Sequence, residues 1–268
     1  MKNVLTIAGS DSSGGAGIQA DLKTFCAHGV YGMSVITAVT AQNTQGVLAV
    51  QDIDPEIVAK QLDAVFIDIP VHAVKIGMVS QPEIIKVIAA KLHKYNATNI
   101  VLDPVMVSKS GYHLLQPSAR TTLINELLPL ADIVTPNIAE AEVLTGMTIT
   151  NLEAMAQAAR QIYTMGPKSV LLKGGHLADA ATDLLFDGQN FTYLPCPRIV
   201  TKNTHGTGCT LSSAIAANLA RGQSLADAVA NAKRYITIAI EHALSLGHGT
   251  GPTNHLYELY AKAGLLTD

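Results

Sequence analysis

Short apolar runs alternate with helical apolar spacings along most of this chain. Runs typical of buried strands cover 3–8, 34–39, 74–77, 100–103, 132–135 and 169–172. Between them, apolar residues recur every three or four positions, as one face of a helix requires; Ile84, Ile88 and Leu92 are an example. Continuously apolar strands that alternate with helices are typical of a parallel sheet covered on both faces. The pattern therefore predicts an α/β fold.

The last third of the chain departs from this alternation. Segments 182–186 and 191–194 flank Asp187-Gly188, a pair of residues that favours a hairpin turn. We therefore expect an antiparallel hairpin at one edge of a mostly parallel sheet. Beyond it, helical patterns lie near 208–221, 224–246 and 254–263. Because no linker, repeat or low-complexity segment interrupts the pattern, we expect residues 1–268 to form a single domain.

Composition and charge narrow the class of protein. Hydrophobic residues make up 48% of the chain, aromatic residues only 4%, and tryptophan is absent, so the core is expected to be aliphatic. The net charge of −3, without a basic patch, makes nucleic acid or an anionic membrane an unexpected partner. No apolar run reaches the 18 residues of a membrane span. The 3 widely spaced cysteines form no disulfide framework, which favours a cytoplasmic location.

Glycine-rich segments follow the first strand and open the helix near 208. Residues 9–17 read Gly-Ser-Asp-Ser-Ser-Gly-Gly-Ala-Gly, and residues 206–209 read Gly-Thr-Gly-Cys. The first turn of a helix carries unpaired N–H groups and the positive end of the helix dipole, and glycine lets a phosphate approach closely. Neither segment ends in the Gly-Lys-Ser/Thr of a P-loop. Each can be an anion site or an ordinary tight turn.

Polar residues follow several of the predicted strands, where ligands bind in parallel sheets. Asp103 can hold Mg²⁺, or it can belong to an Asp-Pro turn. Asn137 and Glu140, three residues apart, can bind a hydrated Mg²⁺ or form a helix capping box. Lys173 can reach nucleotide phosphates as a point charge. A cation, a metal and backbone donors together predict a phosphoryl-transfer enzyme.

Further candidates have equally open interpretations. Asp21, one turn beyond the first glycine segment, is either a solvated helix residue or a substrate contact. Gln42 and Asn43 follow the second strand and can recognise a small heterocycle or cap the next turn. Cys209 is either an inert buried thiol or a thiolate base, because a helix N-terminus lowers the pKa of a thiol.

The ordered set of these motifs resembles the bacterial hydroxymethylpyrimidine/phosphomethylpyrimidine kinases of thiamine biosynthesis, within the ribokinase-like superfamily. The resemblance rests on segments 8–21, 40–44, 75–78, 103–106, 135–140, 172–176, 203–209 and 247–252. It implies a three-layer α/β/α fold and a cytoplasmic homodimer. It also implies phosphorylation of 4-amino-5-hydroxymethyl-2-methylpyrimidine, and then of its monophosphate, with ATP and Mg²⁺. The implied partners are thus small pyrimidines.

The resemblance also implies residue roles. The substrate site would consist of Gly9, Asp21, Gln42, Met78 and Val105, with Asp21 and Gln42 bonded to the aminopyrimidine and Met78 packed on its ring. Asp103 and Glu140 would organise Mg²⁺. The nucleotide phosphates would meet Lys173, Thr204, Gly206 and Gly208, and the anion hole would be Gly206, Thr207, Gly208 and Cys209.

One departure concerns the general base. Sugar kinases of the superfamily end this turn with Gly-Asp, whose Asp is the base, whereas this chain has Cys209. We hypothesise that Cys209 deprotonates the alcohol; Asp21, or no base at all, are the alternatives.

Rival functions are a pyridoxal kinase and a non-catalytic pyrimidine-sensing module. Some related kinases trap pyridoxal with a lid cysteine, which the corresponding segment 107–112 lacks. The intact set of Asp103, Glu140 and Lys173 argues against a non-catalytic protein. Segment 106–115 is expected to act as a flap that closes over the substrate and excludes water.

Overall fold

Among the described residues, one nine-stranded sheet organises the fold, with strand order β3-β2-β1-β4-β5-β6-β7-β8-β9. The computed structural model describes residues 1–106, 117–175 and 181–266. From β2 to β7 in this order, neighbouring strands are parallel. The strands are β1 (Asn3–Asp11), β2 (Tyr31–Asn43), β3 (Gly46–Asp52), β4 (Ala73–Ile76), β5 (Ile100–Leu102), β6 (Ile133–Val134), β7 (Val170–Leu172), β8 (Asp183–Phe186) and β9 (Phe191–Leu194).

Helices cover both faces of the sheet, because alternate strand residues enter opposite layers. Leu5 and Ile7 pack in the layer that contains α2 to α6, while Val4 packs in the layer of α1, α7 and α8. This arrangement confirms the predicted α/β/α fold. The helices are α1 (Gly17–Ala27), α2 (Pro55–Asp68), α3 (Pro82–Lys94), α4 (Pro117–Thr122), α5 (Ile138–Thr145), α6 (Leu152–Tyr163), α7 (Thr207–Ala220), α8 (Leu225–Glu241) and α9 (Tyr257–Ala263).

Antiparallel strands close the sheet at both edges. The hairpin β8–β9 confirms the prediction at one edge. At the other edge, β3 pairs antiparallel with β2, which is longer than the predicted strand 34–39. The sequence pattern missed β3 because an edge strand faces solvent, and Leu48 is 76% exposed. The connecting turn is held by Asn43, whose side-chain oxygen accepts from the N–H groups of Gln45 and Gly46.

Helix termini follow their capping residues. Asp54 accepts from the N–H of Glu56 at 2.8 Å, and Pro55 occupies the first turn of α2. Beyond α4 the chain continues as a π-helical turn, Leu123–Leu127, and a 3-10 turn, Leu128–Leu130. The helix expected at 224–246 ends at Glu241, and the one expected at 254 begins at Tyr257. In the described part of the chain, no helix has the length and apolarity needed to cross a membrane.

Candidate active site

A cavity of about 600 Å³ opens at the carboxyl ends of the central strands, where parallel sheets bind ligands. Its walls come from the segments after β1, β4, β5 and β6, from the end of β7 and from the N-terminus of α7. The structure thereby brings together most of the side chains and amides that the sequence singled out. These are Gly9, Gln42, Met78, Asp103, Val105, Glu140, Lys173, Gly206, Thr207, Gly208 and Cys209.

Asp103 and Lys173 form the charged centre of this cavity. The Lys173 ammonium donates to Asp103 Oδ1 at 3.0 Å, and Glu140 Oε2 lies 4.0 Å from the same ammonium. Hydroxyl groups of Thr135 and Ser212 donate to the other lone pairs of Asp103, at 3.2 and 3.4 Å. The carboxylate is therefore held in place from several sides.

The neighbouring charges set the proton affinities of this centre. Burial raises the pKa of the Glu140 carboxyl to about 7; Lys173 opposes this shift and the nearby Asp103 adds to it. Burial favours the neutral form of Lys173, but the carboxylates of Asp103 and Glu140 outweigh it and raise the pKa of the ammonium. Lys173 is therefore protonated and lies between two acidic side chains.

Glu140 forms the predicted capping box and also lines the cavity. Its carboxylate accepts from the N–H of Asn137 at 2.8 Å, and Asn137 Oδ1 accepts from the N–H of Glu140 at 2.9 Å, which completes the capping box of α5. The same carboxylate also lines the cavity. The capping box thus fixes the direction in which this carboxylate faces Lys173.

The N-terminus of α7 lies directly against the charged centre. A Cβ on Gly208 would lie 3.3 Å from Asp103 Oδ2 and 3.4 Å from Lys173 Nζ. In the described residues, the N–H groups of Gly208 and Cys209 have no acceptor. Gly206 has a φ of +78°, and its Cα lies so close to the carbonyl of Gly15 that a side chain would overlap it. Free amides therefore face the cavity beside a cation.

The thiol of Cys209 does not have the lowered pKa that the helix terminus predicted. Burial raises its pKa to about 11; the Lys75 ammonium opposes the shift, while Asp21 and Asp103 add to it. The predicted lowering of the thiol pKa is therefore wrong, because desolvation exceeds the opposing effect of Lys75. Cys209 lines the cavity, and the backbone N–H of Gly17 also opposes the rise in its pKa.

Asp21 lies beneath the cavity and not on its wall. Its side chain is fully buried and accepts from Thr6 Oγ1 at 2.6 Å, Lys75 Nζ at 2.9 Å and Ser213 Oγ at 2.7 Å. Asp21 does not line the cavity in this structure, and its contact with a substrate stays a prediction. Lys75, to which the sequence analysis gave no role, lines the cavity in its place. A lysine inside the otherwise apolar strand Ala73–Ile76 was the available signal.

The two glycine-rich segments are joined by Asp11 and His205. Asp11 accepts from His205 Nε2 at 2.8 Å and from the N–H groups of Gly15 and Ala16. Burial opposes ionisation of Asp11, but hydrogen bonds from His205, Ser13 and Ala16 outweigh it and lower the pKa to about 2. Sequence reasoning missed this pair, although an acidic residue at the end of β1 was visible.

Of the remaining residues with predicted roles, Gln42 lines the cavity and Thr204 does not. Gln42 lines the cavity, with its Nε2 3.3 Å from His205 Nε2. Thr204, predicted to bind nucleotide, does not line the cavity, and its carbonyl accepts from the hydroxyl of Thr207 at 2.7 Å. Residues 107–115 of the predicted flap and His176 of the motif at 172–176 lie outside the described residues.

Comparisons with known proteins agree with this geometry. The family model described as phosphomethylpyrimidine kinase matches residues 11–254. The hydroxymethylpyrimidine/phosphomethylpyrimidine kinase of Rhizobium meliloti is 58% identical over 94% of this chain and 96% of its own length. A thiamine biosynthesis bifunctional protein of Geobacter sulfurreducens is 56% identical over 95% of this chain, which spans about half (52%) of that longer protein.

Solved structures extend the comparison to the fold. A crystal structure of phosphomethylpyrimidine kinase from Clostridium difficile has a TM-score of 0.81 at 56% identity and covers 90% of this chain and 100% of its own. An ADP complex of Bacillus subtilis pyridoxal kinase has a TM-score of 0.89 at 40% identity and covers 96% of this chain and 98% of its own. Together with the motifs and the cavity, these matches show that the chain belongs to the phosphomethylpyrimidine kinase family.

Proposed function

We propose that this kinase transfers the γ-phosphoryl group of ATP to 4-amino-5-hydroxymethyl-2-methylpyrimidine, and then a second one to the resulting monophosphate. A relative that covers 94% of the chain is named for both activities, and a relative of about twice its length is named for thiamine biosynthesis. The observation that carries the proposal is the contact of Gly208, at the start of α7, with the Asp103–Lys173 pair. Free amides, a cation and a carboxylate thus meet at one point.

This meeting point suits a phosphoryl group in transfer. The N–H groups of Gly208 and Cys209 donate to its equatorial oxygens, and the α7 dipole adds positive potential there. Lys173 supplies a positive charge to the nucleotide phosphates, since Asp103 and Glu140 keep it protonated. In phosphoryl transfer the protein acts mainly through such positioning and charge.

Asp103 and Glu140 fit a hydrated Mg²⁺ that nucleotide phosphates help to hold. In the described part of the chain, no group of three or more acidic, histidine or cysteine side chains can hold a metal alone. Mg²⁺ is commonly bound by one or two carboxylates together with substrate phosphates. Burial, with the nearby Asp103, raises the pKa of the Glu140 carboxyl to about 7, so both carboxylates face the same space beside Lys173. When bound, Mg²⁺ would supply neutralisation of phosphate charge.

The acceptor would occupy the opposite part of the cavity. Gly9, Gln42, Met78 and Val105 line that wall, and a Cβ on Gly9 would lie 3.1 Å from the Met78 sulfur. A largely apolar wall of this kind suits a flat ring, and the Gln42 amide can recognise the ring's polar edge. The acceptor hydroxyl then faces the anion hole. With its pKa raised to about 11, Cys209 is protonated at neutral pH, which leaves its role as base unsupported.

Pyridoxal is a second candidate acceptor, favoured by the pyridoxal kinase whose structure matches at a TM-score of 0.89. Both molecules are small heterocycles that carry a hydroxymethyl group. The higher identity to the pyrimidine kinases, at 58% against 40%, places pyridoxal second.

The test is ATP consumption by the intact chain with three acceptors: the pyrimidine alcohol, its monophosphate, and pyridoxal. Each is assayed with Mg²⁺ and after chelation. We expect turnover of the first two only when Mg²⁺ is present. A higher kcat/KM for pyridoxal, or turnover of neither pyrimidine, would refute the proposal.

A further inference from the structure

Lys75 is a buried cation in the cavity wall. It is not one of the groups proposed to bind the nucleotide phosphates, which are Lys173 and the N–H groups of Gly208 and Cys209. The Lys75 side chain is 0% exposed, and its ammonium donates to Asp21 Oδ2 at 2.9 Å. Asp21 is the acceptor that the described residues provide for it. Because an ammonium has three donors, two of them remain for a ligand. Burial opposes the charged form, but Asp21, Cys209 and Asp103 outweigh it and raise the pKa of Lys75.

Lys75 and Lys173 lie on opposite sides of Asp103. Lys75 belongs to β4, Asp103 follows β5, and Lys173 ends β7, three strands away from β4. At about 4.8 Å between neighbouring strands, β4 and β7 are about 14 Å apart. Lys173 is adjacent to Glu140 and Gly208, whereas a Cβ on Gly77 would lie 2.6 Å from Lys75 Nζ. The second cation therefore lies on the side of Met78, where the acceptor is placed.

Two successive transfers at one anion hole require a binding place for the phosphate that the acceptor gained in the first transfer. This requirement rests on the proposed function. In the first transfer, the acceptor hydroxyl attacks the γ-phosphorus. In the second, a phosphate oxygen of the monophosphate forms the new bond to the γ-phosphorus. The bond from this phosphorus to the bridging oxygen breaks, and its electron pair leaves with ADP. The acceptor phosphate is a dianion beside another phosphate, so it needs a cation on its own side.

We infer that Lys75 binds the phosphate of the monophosphate acceptor and so determines the ability of this kinase to perform the second transfer. Asp21 is then a positioning residue, since its carboxylate orients the ammonium and balances its charge while the phosphate is absent. Thr6 and Ser213 hold Asp21 from two directions and keep the pair in register.

The test replaces the ion pair by a neutral pair, Lys75→Met with Asp21→Asn, because Lys75→Met alone leaves an unpaired buried carboxylate. Isothermal titration calorimetry without nucleotide measures the Kd of the monophosphate and of the alcohol, and steady-state assays measure kcat/KM for each. We expect the Kd of the monophosphate to rise about 10- to 100-fold, as for a lost charge-assisted hydrogen bond, and that of the alcohol to change less than about threefold. The kcat/KM for the monophosphate should fall at least as much as its affinity.

Matched variants separate this role from a structural one. Lys168→Met removes a lysine that is 74% exposed and pairs with Asp132, so it should change neither acceptor. Asp21→Asn alone keeps the ammonium, so its loss of affinity for the monophosphate should be smaller than that of the neutral pair. Equal losses for both acceptors in the neutral pair, or an unchanged Kd of the monophosphate, would overturn the inference. A wild-type chain that phosphorylates neither pyrimidine would instead refute the proposed function itself.

Discussion

Gly208→Ala separates stability from catalysis at the start of α7. The new methyl group would lie 3.3 Å from Asp103 Oδ2 and 3.4 Å from Lys173 Nζ, inside the space assigned to the transferred phosphoryl group. These contacts require shifts of only a few tenths of an ångström, so the empty protein can accommodate them. Within a helix, alanine is favoured over glycine by up to about 1 kcal/mol. The Tm is therefore expected to stay the same or to rise by up to about 3 °C.

Catalysis should respond in the opposite direction. Displacement of a phosphoryl group by about 1 Å from its donors reduces turnover on the order of 100-fold. We expect a loss of this size in kcat for both acceptors, measured by coupled ATP consumption, beside an unchanged or raised Tm from calorimetry.

The neighbouring Gly206→Ala is the contrasting variant. Gly206 has a φ of +78° and no room beside the Gly15 carbonyl, so this variant should lower the Tm as well as the activity. Full activity in Gly208→Ala would show that the phosphoryl group lies elsewhere and would refute the assignment of the anion hole. A Tm loss in Gly208→Ala equal to that in Gly206→Ala would refute the reasoning from space.

Further predictions concern the titratable groups around the cavity. Since its thiol has a pKa raised to about 11, Cys209→Ala should retain more than about a tenth of turnover at pH 7, and a 100-fold loss in a pH–rate profile would restore the thiolate base. With the pKa of Glu140 at about 7, the KM for Mg²⁺ should rise as the pH falls below 7, and Glu140→Gln should have a high, pH-independent KM. Because folding raises this pKa, protonated Glu140 stabilises the folded state fully below its ordinary pKa of 4.5. This stabilisation is lost as the pH rises through 7. Urea unfolding at a series of pH values can measure the corresponding fall in the free energy of unfolding. Asp21→Ala leaves the Lys75 ammonium unpaired and should lower the free energy of unfolding by about 3–5 kcal/mol; a loss below about 1 kcal/mol would contradict the buried pair.

Sequence periodicity predicted the strands that are buried on both faces of the sheet and failed for the partly exposed edge strand. Strands such as Val170–Leu172 are buried on both faces, so every residue is apolar and the pattern is unambiguous. The edge strand Gly46–Asp52 exposes part of its length, and its mixed residues gave no such run. The π-helical turn Leu123–Leu127 has no recognised sequence pattern in this chain, because helical apolar spacing does not distinguish it from an α-helix.

Within the site, sequence placed residues at the correct edge of the sheet but could not orient them. Asp103, Glu140 and Lys173 converge because they follow parallel strands, which is a property of topology. The pKa of a side chain depends instead on desolvation and on charges far away in sequence. A helix terminus alone predicted a lowered pKa for Cys209, whereas the surrounding burial raises it. The pKa of a buried side chain therefore cannot be predicted from its position in a sequence motif alone.

The positions of Asp21 and Lys75 illustrate the same limit of sequence patterns. Both residues belong to motifs that the sequence identified, and the sequence assigned the polar contact to the helix residue. In the fold, Thr6 of β1 lies directly opposite Lys75 of β4, so the Asp21 carboxylate is enclosed between a hydroxyl and an ammonium. The longer lysine side chain then spans from the sheet to the cavity wall. A carboxylate would repel an incoming phosphate at that wall, whereas a cation held by a buried carboxylate attracts it, so this arrangement favours an anionic acceptor.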